Sequence, residues 1–337
     1  MRPISSDAPV APGDHAPQGV ASGSACGKVI LLGEHAVVYG QPAIAAPVTG
    51  MRAEARVCPG RKGGGVTITA GDLGVRFGAG CDDERGLGLL LAARVAIEAF
   101  CPAPPAPDTE IHLRSAIPVA RGMGSSAAVS AAIVRALAAY LSVDLTDDTL
   151  SRLVYQAEMH YHGTPSGIDN TVVSYERPVW FERGRPPEFM AVGAGLELLV
   201  ADTGTPSRTR DTVAQVRAWR ERDAATVDGL MAEIGALVRA ARQQLDRGDI
   251  AGLGEAMSAN QTLLRRLGVS TPALDALVSA AEEAGALGAK LCGGGGGGCA
   301  VALLAPGAAE TVAAALRRAG AAALYVTSVG AAACVAG

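Results

Sequence analysis

Pro118-Val119-Ala120-Arg121-Gly122-Met123-Gly124-Ser125-Ser126-Ala127-Ala128 follows an alternating stretch, Thr109 to Arg114, and opens an alanine-rich one, Ala127 to Leu141. The first reads as a strand and the second as a helix. Between them a Gly-x-Gly turn lets backbone approach a ligand closely, and two hydroxyls fall in the first helical turn. Free N–H groups and the positive end of the helix dipole suit that point to a polyphosphate and one metal oxygen site. A serine-capped helix alone explains the serines but not the Gly-x-Gly after a proline. Gly122 to Ala127 also satisfies the loose dinucleotide pattern G-x-G-x-x-G/A, a weak signal by itself. The strand before it is not the first of the chain, and Leu145 to His160 reads as a helix, not as a second strand ending in an acid.

Upstream lies Gly27-Lys28-Val29-Ile30-Leu31-Leu32-Gly33-Glu34-His35-Ala36-Val37-Val38-Tyr39-Gly40. Cys26 to Leu32 reads as a strand that breaks at Gly33. A lysine inside such a strand is costly to bury without a partner. Glu34 and His35 then place an acid and an imidazole at the strand end. Taken alone, a strand end with surface charges explains them slightly better. The segment is not a Walker A loop, because Val29 stands where Ser or Thr is required and Ser22 where the upstream glycine is.

Downstream comes Glu158-Met159-His160-Tyr161-His162-Gly163-Thr164-Pro165-Ser166-Gly167-Ile168-Asp169-Asn170. The helix Asp147 to His160, with Thr146 as N-cap, carries Glu158 on its last turn. The loop then turns sharply toward Asp169. Phosphoryl transfer needs one carboxylate for a metal and one to orient the acceptor, and this segment supplies a candidate for each. Zinc at His160 and His162 is disfavoured, since no third nitrogen or sulfur ligand is near, and structural hydrogen bonding is the expected use of both. Near the C-terminus, Lys290-Leu291-Cys292 and Cys299 flank six glycines, 293 to 298. A floppy linker is the bland reading. A tight connection between two apolar strands favours a backbone-only loop packed against a nucleotide site.

The 337 residues are enough for two domains; 49% are apolar and only 4% aromatic, so aliphatic side chains must fill the core. A net charge of −4 without a long basic run argues against nucleic acid as partner. Seven cysteines, an odd number with no C-x-x-C pair, read as reduced thiols of a cytoplasmic protein. No uninterrupted apolar run is long enough for a membrane helix. Residues 1–23, rich in Pro, Ala, Ser and Gly, read as a disordered leader rather than a secretory signal. Strands, then helices (208–247, 253–267 and 272–284), then strand, glycine run, strand, helix and strand indicate an α+β protein in two lobes. The seam is expected between Gly184 and Gly195, giving domains 24–188 and 189–337.

Together these segments resemble the GHMP kinases, whose three motifs occur here in order from about Ala25 onward. Met123 replaces the usual leucine of P-x-x-x-G-L-G-S-S-A-A. Lys28 to Gly40 resembles the K-V-I-L-x-G-E-H-A-V-V-x-G of the mevalonate kinase family. His162 to Asn170 is similar to its H-G-N-P-S-G-x-D-N, with Thr164 in place of Asn. Asp202 to Thr209 is similar to a substrate-side segment of the short prokaryotic type. Gly294 stands where alanine is usual, which adds looseness to the glycine loop.

The resemblance implies an N-terminal lobe with a mixed or antiparallel sheet, a ferredoxin-like C-terminal lobe and an active site in the cleft. It implies transfer of the terminal phosphate of Mg-ATP to the 5-hydroxyl of mevalonate. A sister kinase acting on phosphomevalonate, homoserine or a sugar is the alternative, as is a non-catalytic sensor on the same fold. Ser126 and Glu158 would bind Mg²⁺, and the backbone of Gly122, Met123, Gly124, Ser125, Ser126, Ala127 and Ala128 would cradle the phosphates. Asp169 would accept or orient the hydroxyl proton, and Lys28 would sit beside it. Glu34 and His35 would shape the acceptor pocket, and Arg208 would meet the mevalonate carboxylate. A homodimer is expected by analogy only.

Overall fold

The computed structural model describes residues 19–330, apart from 79, 103–105 and 163–164. The strands are β1 (Ala21–Leu32), β2 (Ala43–Pro59), β3 (Val66–Ala70), β4 (Val75–Phe77), β5 (Thr109–Ser115), β6 (Val179–Phe181), β7 (Glu188–Phe189), β8 (Leu196–Asp202), β9 (Ala286–Cys292), β10 (Cys299–Leu304) and β11 (Ala323–Val329). The helices are α1 (Glu84–Phe100), α2 (Ser125–Tyr140), α3 (Asp147–His162), α4 (Ile168–Tyr175), α5 (Thr209–Arg222), α6 (Ala224–Arg247), α7 (Ile250–Arg266), α8 (Pro272–Glu283) and α9 (Ala309–Arg318). This is an α+β chain, as its patterning indicates. Residues 21–23 of the leader expected over 1–23 belong instead to β1, which begins at Ala21; Gly23 lets the strand lie flat on α2, where a Cβ would stand 2.4 Å from the Ala136 nitrogen. Residues 1–18 of that expectation lie outside the described residues.

The chain forms two compact units, each assembled from separate segments. One comprises the chain up to Ala25, Ala53–Ser115 and Ser126–Pro165. Here β4, β3, β5 and the second half of β2 stand side by side. The β3–β5 pair is parallel and the others antiparallel, so the sheet is mixed. Helix α3 starts as its sequence suggests, the Thr149 N–H donating to the Thr146 hydroxyl at 3.2 Å. Leu150, Leu153, Val154 and Ala157 form its buried stripe, and Glu158 follows Val154 by four positions on that face.

The other unit comprises Cys26–Arg52, Ala116–Ser125 and the chain from Ser166 onward. Its four-stranded sheet runs β11-β8-β10-β9, antiparallel throughout. Helices α5 to α8 lie between the first and second of these strands in sequence, and α9 between the third and fourth. That is the β-α-β-β-α-β order of a ferredoxin-like layer. In the same unit the first half of β2 pairs with β6, and β6 with β7.

A small apolar cluster of this unit sets where Lys28 and Asp169 stand. Ile30 of β1 and Ala43 and Ala45 of β2 pack with Val179 and Phe181 of β6 and with Ile168 and Val172, one turn apart on α4. Residues 28 and 30 share a face of β1. Packing Ile30 with Ile168 therefore brings Lys28 toward residue 169. The fully buried Ile168, Val172 and Val179 side chains each contribute about 1.5–3 kcal/mol.

Candidate active site

Lys28 is buried, and its Nζ lies 3.1 Å from Asp169 Oδ1. Asp169 stands in the first turn of α4, where the helix dipole favours a negative charge. The lysine also donates from Nζ to the Gly122 carbonyl at 3.1 Å, and from its backbone N–H to the Met123 carbonyl at 3.0 Å. Burial alone would lower its pKa. The Asp169 carboxylate, with a smaller contribution from Glu34, outweighs that and holds the ammonium above the usual lysine range.

The turn before α2 comes equally close. Gly124 has φ 70°, and a Cβ there would stand 2.9 Å from Lys28 Cγ and 3.7 Å from Asp169 Oδ2. Met123, Ala127 and Ala128 are fully buried, so only their backbone is available to a ligand. Ser125 donates to the Ile117 carbonyl at 3.4 Å. In the other unit, Ser126 Oγ donates to Glu158 Oε2 at 3.2 Å, and Glu158 is 4% exposed. A hydroxyl and a carboxylate are hard oxygen donors. Mg²⁺ usually takes one or two such protein ligands and completes its shell with water and phosphate oxygens, so this pair fits that ion.

His35 is buried with φ 59°, and its Nε2 donates to the Gly294 carbonyl at 3.0 Å. The carbonyl can only accept, which assigns the ring hydrogen to Nε2. Burial pushes the imidazole below its ordinary pKa, with the Gly294 bond opposing, so the ring is neutral at pH 7. Glu34 is committed elsewhere: Lys290 Nζ pairs with its Oε1, and Asn260 Nδ2 donates to its Oε2 at 3.2 Å. The Arg208 side chain is exposed, and its backbone N–H donates to the Gly295 carbonyl at 3.2 Å.

The glycine loop is packed, not loose. A Cβ on Gly294 would stand 2.5 Å from Thr209 Oγ1, and one on Gly295 2.1 Å from the Val269 carbonyl oxygen. Gly294 therefore fits a tight place, which corrects the looseness expected from the missing alanine methyl. The side chains of His160 and His162 lie outside the described residues, as do Gly163 and Thr164. Lys290, Arg121 and Asp202 stand inside the quoted motifs with no role foreseen for their side chains, and Asn260 stands in none of them. For Lys290 a signal exists: it is an ammonium in an apolar strand, as Lys28 is, and demands a carboxylate.

The model of the GHMP kinases N terminal domain matches residues 90–177, and that of the GHMP kinases C terminal matches residues 241–322. A mevalonate kinase of Pyrococcus horikoshii is 37% identical over 291 residues, covering 80% of this chain and 84% of that protein. One of Aeropyrum pernix is 36% identical over 282 residues, covering 81% and 85%. Among solved structures, L. major mevalonate kinase in complex with R-mevalonate matches with a TM-score of 0.79 at 28% identity, covering 93% of this chain and 96% of that one. Lactococcus lactis galactokinase complexed with galactose, at 20% identity, a TM-score of 0.76 and coverage of 93% and 94%, shares the fold. With both domain models matched and relatives of this identity spanning most of their length, the chain belongs to the GHMP kinase family and, within it, to the mevalonate kinases.

Proposed function

We propose that the protein transfers the γ-phosphate of ATP to the 5-hydroxyl of mevalonate, giving 5-phosphomevalonate and ADP. The observation that carries this reading is the buried Lys28 held 3.1 Å from Asp169, beside the turn that opens α2. The mevalonate kinases among its relatives support the acceptor.

In this reading the backbone N–H groups of Gly122 to Ala128 receive the phosphates at the start of α2. Ser126 and Glu158 hold Mg²⁺, which when bound neutralises charge on the phosphate oxygens. Asp169 orients the 5-hydroxyl and receives its proton. Lys28, 3.1 Å from Asp169, stabilises charge that develops during transfer. A loose transition state needs little deprotonation of the nucleophile, so positioning by Asp169 is its larger contribution. His35 contributes a neutral, fixed wall to the acceptor side. Glu34 acts there by anchoring the turn that presents His35. Arg208, next to the glycine loop, meets the mevalonate carboxylate.

A domain division near residue 188 is kept as a proposal: the matched segments 90–177 and 241–322 fall on either side of it, while the compact units draw on separate segments of the chain. A cytoplasmic location is supported by thiols at Cys58, Cys81, Cys101, Cys292 and Cys299 that form no disulfide among the described residues. No described helix is long and apolar enough to cross a membrane. A homodimer is proposed by analogy and is checked by sedimentation.

Pure protein with Mg-ATP should release ADP when mevalonate is added, and much less with phosphomevalonate, homoserine or galactose. A higher kcat/KM with any of these three would transfer the assignment to the corresponding sister kinase. Nucleotide and mevalonate binding without turnover would indicate a sensor. Glu158→Gln and Ser126→Ala should each raise the Mg²⁺ concentration needed for half-maximal rate, and an unchanged requirement would remove them from the metal site.

A further inference from the structure

The turn from Ala120 to Gly124 contains three positive-φ residues: Ala120 at 57°, Gly122 at 80° and Gly124 at 70°. A left-handed alanine is unfavourable and persists only where its surroundings over-determine it. Lys28 supplies the fixation from one side, through Gly122 and Met123. Arg121 supplies it from another. Its Nε donates to Asp202 Oδ2 at 2.8 Å, and its Nη2 to the Gly204 carbonyl at 3.0 Å. The second oxygen of Asp202 accepts the Gly204 N–H at 2.7 Å. Asp202 ends β8, an interior strand of the four-stranded sheet, and its own carbonyl accepts the Ala322 N–H at 2.8 Å. The Ser207 N–H closes the arrangement on the Ala120 carbonyl at 2.8 Å. Arg121 and Asp202 are 17% and 7% exposed, so water screens their pairing only in part.

We propose that Arg121 and Asp202 form a positioning clip that fastens the phosphate-cradling turn to the sheet and so sets the affinity for Mg-nucleotide. The inference rests on the reading of Gly122 to Ala128 as the cradle. Arg121 acts through the turn: its Nε and Nη2 are engaged by Asp202 and Gly204. Without the clip the turn samples more conformations, and nucleotide binding must bear the cost of ordering it. Phosphoryl transfer within the bound complex, once the turn is ordered, is little affected.

The test uses the full chain and compares wild type with Arg121→Gln, Asp202→Asn, the milder Arg121→Lys and the exchanged pair Arg121→Asp/Asp202→Arg. Initial rates give KM for Mg-ATP and kcat at saturating mevalonate, calorimetry gives Kd for Mg-ADP, and Gly122→Val, which distorts the turn backbone, serves as the cradle control. Both neutralising variants should raise KM and Kd about tenfold, with kcat within about threefold of wild type, since lost ground-state binding appears in KM. Arg121→Lys should also weaken binding, because an ammonium cannot span Asp202 and Gly204 as the guanidinium fork does. The exchanged pair should recover part of the loss. Asp202→Asn with unchanged nucleotide affinity beside a weakened Arg121→Gln would overturn the clip, since Arg121 would then touch nucleotide directly. A fall in kcat at constant KM, or an exchanged pair no better than the single variants, would overturn it as well. If Gly122→Val, which puts a side chain on a backbone of φ 80° with a Cβ 2.8 Å from the Cys292 carbonyl oxygen, also leaves Mg-nucleotide affinity unchanged, the cradle reading itself has failed, which is a separate outcome from failure of the clip alone.

Discussion

Lys290 and Glu34 form an ion pair from which water is excluded, with side chains 0% and 1% exposed. The lysine also donates to the carbonyls of Ile30, at 3.3 Å, and Leu291, at 2.6 Å, and Asn260 serves the second carboxylate oxygen. The pair ties the end of β1 to β9 and fixes the Gly33-Glu34-His35 turn. Removing one partner leaves a buried charge without compensation. Lys290→Ala should therefore cost about 3–5 kcal/mol, whereas replacing both partners by uncharged residues of similar volume should cost much less. Urea midpoints of Lys290→Ala and of Lys290→Met/Glu34→Gln check this. A single variant as stable as wild type would show that the pair does not hold the turn.

His35 gives an acid-side prediction. Its folded-state pKa lies below the ordinary value because burial disfavours the imidazolium. Its contribution to stability is complete above the unfolded pKa of about 6.5 and is lost as pH falls from there through the folded value. His35→Asn keeps a side chain that tolerates φ 59° but does not titrate. Thermal melts between about pH 7 and pH 5 should fall more steeply for wild type than for His35→Asn. Parallel curves would mean that the ring is not buried neutral.

Gly124 tests the close approach of the α2 turn to Lys28. Gly124→Ala places a methyl where Lys28 Cγ lies at 2.9 Å, on a backbone with φ 70°. Lys28 has no open space to retreat into at 3% exposure. The expected result is a fall in kcat of about a hundredfold, the order attached to a misplacement of about 1 Å. A steady-state assay decides it, and wild-type turnover would mean that this contact is slack.

Much of the site is legible in the primary structure because it sits where patterns break. Lys28 interrupts an apolar strand, and Gly122 to Ser126 joins a strand to an alanine-rich helix. The first half of β2 is hidden for the opposite reason: Ala43 to Val48 is buried at every position and shows no alternation. Helix α4 has only eight residues and a glycine N-cap, so neither period nor cap announces it. The Lys290 to Glu34 pairing spans 256 positions, and nothing local says which of the 33 acids answers that lysine. The Arg121 to Asp202 pairing is similarly non-local. The sequence supplies groups that need partners; the strand order of the ferredoxin-like layer decides which partners they meet.

The most direct test of the Lys28 to Asp169 couple as the centre of phosphoryl transfer compares mevalonate-dependent ADP release by wild type and by Asp169→Asn, with Mg-ATP affinity measured alongside. The asparagine variant should bind Mg-ATP as wild type does while kcat falls by about three orders of magnitude or more, because the lost contact acts in the transition state. Turnover by Asp169→Asn within a few fold of wild type would contradict the account.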